Sequence, residues 1–496
     1  MKKKYKLLIF CILISSSLAA QRINIFHNRN FWKTNPNIKI IDKKILEGNN
    51  ITALNKNGFD AVSYALLEKV DTKTIRYLIS KKGNGVNKLT HDGRTYIFWA
   101  AYKNNLEMMR FFVKNGAKMN IIDNHGYSLL NFAATTGQLN PKLYDFCIEN
   151  GSDPKKEKNR DGANALLLIA PFIKDTSLIK YFTLKGIEMK TTDNNGNGLF
   201  NYAAKSGNIK LMEYLLKQGL PYKKLNKKGE NAMIFASRGI RNKANTLASF
   251  QYLERLGISP NVVTKKGINP LHAISYQGKD LNIYNYFLSK GVDVNQTDEN
   301  GNTPFLNAAN MNDLSIIKLL SKQVKDINLK NNNGCSALTN AVNKNAADVV
   351  NYLLEKKANI HTIDKDGNTL SYYLIKNFEE NKSDNFEAKL KILEKNGLVI
   401  NQLQNSKNTL LHIACKKNNL SLLKKLSSFK IDVNSINEEG LSALQIAVLN
   451  AKDLKIIKYL IHIGADKSIK TNFDESIFDL ASENELLKKY NINFLK

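Results

Sequence analysis

A glycine recurs through this chain at a nearly constant interval, and that period constrains the fold more than any other feature. Markers stand at Gly58, Gly93, Gly126, Gly162, Gly196, Gly229, Gly267, Gly301, Gly334, Gly367 and Gly440, with Lys407 and Asp474 in the same register. Successive markers lie 33 to 40 residues apart, most of them 33 or 34. One supersecondary unit is therefore reused along almost the whole chain, and each copy must bury its apolar face against its neighbours. A length of 496 residues would otherwise suggest about three or four domains. One array replaces them, and no stretch of about 100 residues is left over for a separate catalytic domain.

The chemistry of the columns identifies the unit. Two residues after each marker stand Asp60, Thr95, Ser128, Asn164, Gly198, Asn231, Asn269, Thr303, Ser336, Thr369, Thr409, Ser442 and Ser476. All are favoured helix N-caps, and Pro270 and Pro304 follow at the first helical position, where a missing N–H costs nothing. Seven residues after the marker the column is mostly alanine (Ala65, Ala100, Ala133, Ala203, Ala236, Ala308, Ala341, Ala414, Ala447 and Ala481), small enough for neighbouring helices to approach closely. A second helix then carries an apolar pair such as Phe111-Phe112, Leu215-Leu216 or Leu353-Leu354. In most units it should stop at a glycine of positive φ: Gly83, Gly116, Gly151, Gly186, Gly219, Gly257, Gly291, Gly397 or Gly464. Stretches such as Val292-Asp293-Val294-Asn295, followed by a turn, suit a hairpin-like connection to the next marker.

These columns resemble those of ankyrin repeat proteins. The family's signature, roughly D-x-x-G-x-T-P-L-H-x-A and, after a second helix, G-A-D-V-N, is closest in Asp298-Glu299-Asn300-Gly301-Asn302-Thr303-Pro304-Phe305. It recurs in Asn269-Pro270-Leu271-His272-Ala273, in Thr409-Leu410-Leu411-His412-Ile413-Ala414 and in Gly464-Ala465-Asp466. The resemblance implies an all-α solenoid of helix-turn-helix repeats with short hairpin connections. It also implies that His272 and His412 tie turn backbone together, and that the chain binds other proteins. Only two units keep the proline and only two the histidine, so the repeats are relaxed copies.

The expected layout is a signal peptide over 1–20, an N-terminal cap over 21–57, about twelve repeats over 58–473 and a C-terminal capping helix over 474–496. Lys2, Lys3, Lys4 and Lys6, an apolar run from Leu7 to Leu18 and then Ala19-Ala20 have the layout of an exported bacterial protein's Sec-type signal. Cleavage after Ala19 or after Ala20 stays open. Twelve apolar residues are too few to span a bilayer core of about 30 Å, so no transmembrane segment is expected after cleavage and the location is periplasmic or secreted. In the cap, Asp42 to Glu47 has helical character with Gly48 as its stop, and Phe31, Trp32 and Ile38 are placed to cover the first repeat's open end. The closing helix is expected near Ser476 to Lys489. Two long units place extra residues between their helices, at Gly239 to Thr246 and at Phe378 to Asn385.

Composition enters through charge. The chain carries 73 Lys and Arg against 44 Asp and Glu, a net +29, falling to +25 without the four lysines of the signal. Nine arginines leave 64 lysines, and asparagine reaches 66 residues, as A/T-rich codons would favour. With 43% hydrophobic and 24% charged residues, the chain is neither collagen-like nor disordered. Cys147, Cys335 and Cys415 form no disulfide framework or zinc spacing and read as small apolar side chains. No catalytic motif appears, and His91 and His125, on neighbouring turns, lack a third metal ligand. Neither enzyme activity, cofactor nor metal is expected.

Binding is the remaining function class. Twelve stacked units give an array on the order of 100 Å long, and the expected role is a monomeric scaffold presenting an extended concave surface to a protein partner. The alternative rests on residues 217–266, where eleven basic side chains face only Glu230 and Glu254. Lys223, Lys224, Lys227, Lys228, Arg238, Arg241, Lys265 and Lys266 would there attract an anionic glycan or lipid headgroups. Nucleic acid is excluded as a partner, because arginine is scarce and no aromatic series interleaves with the lysines.

Overall fold

Helices begin where an oxygen-bearing side chain meets an orphaned N–H. In a computed structural model describing residues 24–496 except 242 and 277, all thirteen residues two places after the markers are helix N-caps. In all but Thr95 and Gly198 the side chain accepts from a first-turn N–H, a bond worth about 1 kcal/mol. The signal peptide assigned to 1–20 and the first residues of the cap lie outside the described residues.

The described residues form 27 α-helices and no strand, with two isolated bridges, at Ile240–Lys243 and Ile436–Ser442. The chain divides into two compact units between Asn194 and Asn195. The first contains a two-helix cap (Arg29–Lys33 and Ile38–Leu46) and four helix pairs, from Ala61–Leu67 with Thr72–Ile79 to Ala165–Ile169 with Ser177–Leu184. The second contains eight pairs, from Leu199–Ala204 with Ile209–Lys217 to Ala443–Asn450 with Lys455–His462, and a closing helix, Ile477–Glu483. Within each unit, first helices pack on first helices through the alanine column, whose members are at most 1% exposed. Second helices end mostly at a left-handed glycine, Gly116 to Gly464, with φ between 68 and 101°. No helix among the described residues is long and apolar enough to cross a membrane.

Four local expectations are corrected. The cap helix begins at Ile38, four residues before Asp42, because the Asn37 side chain accepts from the Ile40 N–H. Gly83 is not a helix stop: Thr72–Ile79 ends earlier, and buried Asn84 donates to the Leu78 carbonyl at 3.1 Å. The insertion at 378–385 is not all loop. After a short 3-10 turn it joins a 13-residue second helix, Ser383–Lys395, whose Asp384 suits the positive first turn. The closing helix stops at Glu483 and not near Lys489, because Asn484 leaves the helix and donates to the carbonyls of Val448 (2.8 Å) and Ala451 (3.1 Å).

The turns are stitched to one another. Asn124 N–H donates to the Asp92 carbonyl at 2.8 Å in the first unit. In the second, Lys265 reaches Lys228 (2.9 Å), Glu299 reaches Lys266 (3.0 Å) and Lys365 reaches Asn333 (3.0 Å). Asparagine makes a second stitch. Asn295 accepts from Lys325 N–H and donates to the Gln323 carbonyl, both at 2.9 Å, and Asn87 and Asn434 join their next repeats in the same way. Part of the asparagine excess therefore has a structural use.

His272 and His412 tie turns as the family resemblance implied. In each, Nδ1 accepts from the N-cap N–H at 3.2 Å and Nε2 donates to the next turn, at Asn302 (3.1 Å) or Leu441 (3.0 Å). Asn131 holds the same register, and its buried amide finds no partner among the described residues. Burial pushes both imidazoles below the ordinary histidine range, partly offset by their carbonyl partners. The unfolded chain therefore takes up these protons first as pH falls. The stabilisation is complete above the unfolded pKa of about 6.5 and is lost as pH drops through the lowered folded values. Thermal melts from pH 7.5 to 5 should show falling Tm. A His272→Asn/His412→Asn double variant should be less stable at pH 7.5 and show a shallower pH slope.

Candidate functional site

All eight basic residues singled out between 217 and 266 are exposed, but they do not form one patch. Lys227, Lys228, Lys265 and Lys266 occupy two adjacent turns joined by the Lys265–Lys228 backbone bond. Lys223 lies apart: a Cβ on Gly257, just past the end of Leu247–Arg255, would come 3.2 Å from its Nζ. Lys224 precedes the first turn, and Arg241 lies in the inter-helix insertion. Arg238 is spent on an ion pair with buried Glu230, which also accepts from Asn226 at 2.7 Å. Burial pushes the Glu230 carboxyl up, but Arg238 and Asn226 outweigh it and hold the group below its ordinary range. Lys266 pairs with Glu299 on the next turn at 2.7 Å, an exposed contact worth at most about 1 kcal/mol.

A more regular feature lies beside the turns of each unit. Four residues before the marker stand Leu54, Leu89 and Ile122 in the first unit, and Leu225, Val263, Ile363, Leu403 and Ile436 in the second. Each is 44–57% exposed, although the apolar residues around them are mostly buried. Single exposed aliphatics are ordinary. Three in one register in the first unit, and five in the second, add apolar surface beside the turn tips, with Thr297 and Lys330 holding that register between Val263 and Ile363. Tyr102, Tyr276 and Leu449, each nine residues after its marker, add exposed apolar surface near the ends of first helices. Aligning the units on the marker displays this column; hydropathy alone does not, because the same residue types fill the core.

The tips beside this column change sign from turn to turn. Lys227-Lys228 and Lys265-Lys266 are followed by Glu299-Asn300, Asn332-Asn333 and Lys365-Asp366, and later by Glu438-Glu439. The edge therefore combines a repeated aliphatic with a varied polar tip. That pattern suits discrimination among protein surfaces better than uniform attraction of a polyanion.

The remaining candidates are occupied structurally. His91 and His125 both turn Nε2 toward Asp92 Oδ2, at 3.2 and 3.1 Å, and Arg94 approaches the same oxygen at 3.2 Å. No group of three or more His, Cys, Asp or Glu among the described residues is arranged to hold a metal. Cys147 and Cys415 are fully buried, and burial pushes both thiols up, Cys415 to about 12, away from the thiolate a nucleophile needs.

Comparison with known proteins agrees with this architecture. The family model described as "Ankyrin repeats (3 copies)" matches residues 34–123, 62–158, 166–261, 240–328, 271–364, 305–387 and 382–471. An L-asparaginase from Dirofilaria immitis is 28% identical over 139 residues, 28% of this chain and 22% of that protein. The chain thus spans less than a quarter of the length of that relative. A repeat period, a column of helix caps, turn-tying histidines and a family match along most of the sequence lead to one conclusion: the chain belongs to the ankyrin repeat family.

Proposed function

We propose that this protein is a non-enzymatic scaffold that takes a protein partner along the turn edge, in the bacterial periplasm or outside the cell. The observation that carries the binding surface is the exposed aliphatic at one register of five turns in the second unit, Leu225, Val263, Ile363, Leu403 and Ile436. The location rests on the lysine-rich, apolar and small-residue segments at the N-terminus. No activity is carried over from the asparaginase, because the helix pairs account for residues 61–462.

Full burial of an aliphatic side chain contributes about 1.5–3 kcal/mol, and these begin half-buried. Ile363→Ser/Leu403→Ser/Ile436→Ser should therefore weaken partner binding by roughly 2–4 kcal/mol, about 30- to 700-fold. Affinity capture from the envelope fraction, with the unaltered chain and the triple variant as baits, measures this. A partner held equally by both baits would remove these aliphatics from the interface.

A second reading, anionic glycan or lipid headgroups on the turn lysines, is favoured by the adjacency of Lys227-Lys228 and Lys265-Lys266. It predicts binding that falls steeply with salt and disappears when those lysines and Lys223-Lys224 become glutamine. The scaffold reading predicts weak salt dependence and survival of that change.

A further inference from the structure

At the ends of three successive first helices in the second unit lies a cleft of about 390 Å³. Small-ligand sites commonly occupy about 300–1,000 Å³. Its apolar walls include Met311, the last residue of Pro304–Met311; Leu374 of Leu370–Lys376 and Phe378 just beyond it; and Phe386 of the long helix Ser383–Lys395. Lys389 lies three residues after Phe386, on the same helix face, and lines the same cleft.

Lys389 is only 5% exposed. Its Nζ donates at 3.0 Å to the carbonyl of Val342, one of the oxygens left open at the end of Ala337–Lys344. An ammonium has three donors, and no carboxylate is paired with this one among the described residues. Glu379, the acid on the cleft wall, is already paired with Lys382 at 2.8 Å. Burial alone accounts for the lysine's lowered pKa, about 8, with no neighbouring charge compensating it. A buried cation without a counter-charge is costly, and here it sits beside apolar walls that can receive a ligand.

From this geometry we infer that the cleft binds a carboxylate carried on an apolar body, the carboxylate pairing with Lys389 and the body packing against Met311, Leu374, Phe378 and Phe386. Lys344 and Lys382 also line the cleft, Lys382 already paired with Glu379, and the carboxylate is assigned to Lys389 because it is the buried ammonium without a counter-charge. The site is independent of the turn edge. It belongs to the 40-residue unit, whose insertion supplies Phe378, Glu379 and Lys382.

The carboxylate could be that of a small free acid or a peptide C-terminus, and calorimetric titration of the full chain separates them. Hexanoate should bind saturably and hexanamide should not, a comparison that no folding defect can affect. A hexapeptide ending in a free leucine carboxylate, tested against its C-terminal amide, shows whether a peptide can supply the same group. Lys389→Met should weaken the carboxylate ligand about 30-fold or more while its melt stays cooperative. Binding of neither hexanoate nor the free-acid peptide, equal binding of acids and amides, or undiminished binding by a folded Lys389→Met chain would each overturn the site.

Discussion

Replacing Trp32 with alanine should cost about 3–5 kcal/mol of local stability, the range for deleting a buried large aromatic. The indole is completely buried and donates to the Phe26 carbonyl at 3.0 Å. Its ring lies 5.8 Å from Phe26 and 5.1 Å from Phe31, and the cap packs on the first repeat helix, Ala61–Leu67. In a repeat array such damage stays near its source. Hydrogen exchange should therefore accelerate strongly in Ala61–Leu67 and little in Leu129–Thr135. Unchanged exchange in both helices would mean that the tryptophan does not hold the cap in place.

Asp123→Ala should be comparably damaging. One carboxylate oxygen accepts from the backbone N–H groups of His125 and Tyr127, both at 2.9 Å, and so shapes the turn. The other accepts from Arg94 Nε at 2.8 Å and lies 2.7 Å from a terminal guanidinium nitrogen, joining two repeats. Arg94 is nearly buried and lies over the Phe132 ring, 4.5 Å from its centroid, with Asp92 as its remaining acid partner. Removing the carboxylate leaves that cation with Asp92 alone and the turn N–H groups without their acceptor, a loss of about 3 kcal/mol. Asp123→Asn keeps an oxygen for the turn and should cost less. Denaturant titration of both variants should show alanine below asparagine below wild type. Equal midpoints for all three would show that the pair contributes nothing to stability.

The parts of the fold legible in the sequence are those made by short-range chemistry. An N-cap such as Ser442 bonds within its own first turn, and a glycine such as Gly291 answers a local need for positive φ, so both can be read from the chain. Partners distant in sequence were hidden. Lys389 reaches Val342, 47 residues away, and nothing near residue 389 announces it. Asn484 ends the closing helix because carbonyls 33 and 36 residues earlier claim its amide. The candidate site was half legible: the basic run over 217–266 is visible in the sequence, yet Arg238 is committed to Glu230 and Lys223 lies by a helix end. The exposed aliphatics escaped because composition cannot distinguish an exposed leucine such as Leu403 from a buried one such as Leu410.

Hydroxyl-radical footprinting of the partner-loaded chain is the most direct test of the central claim that partners bind along the turn edge. Leu225, Val263, Ile363, Leu403 and Ile436 should lose reactivity together on partner binding, while Leu281, an exposed residue at the start of a second helix, keeps its reactivity. Protection of Leu281 with the five turn residues left reactive would contradict the account and place the interface on the second helices.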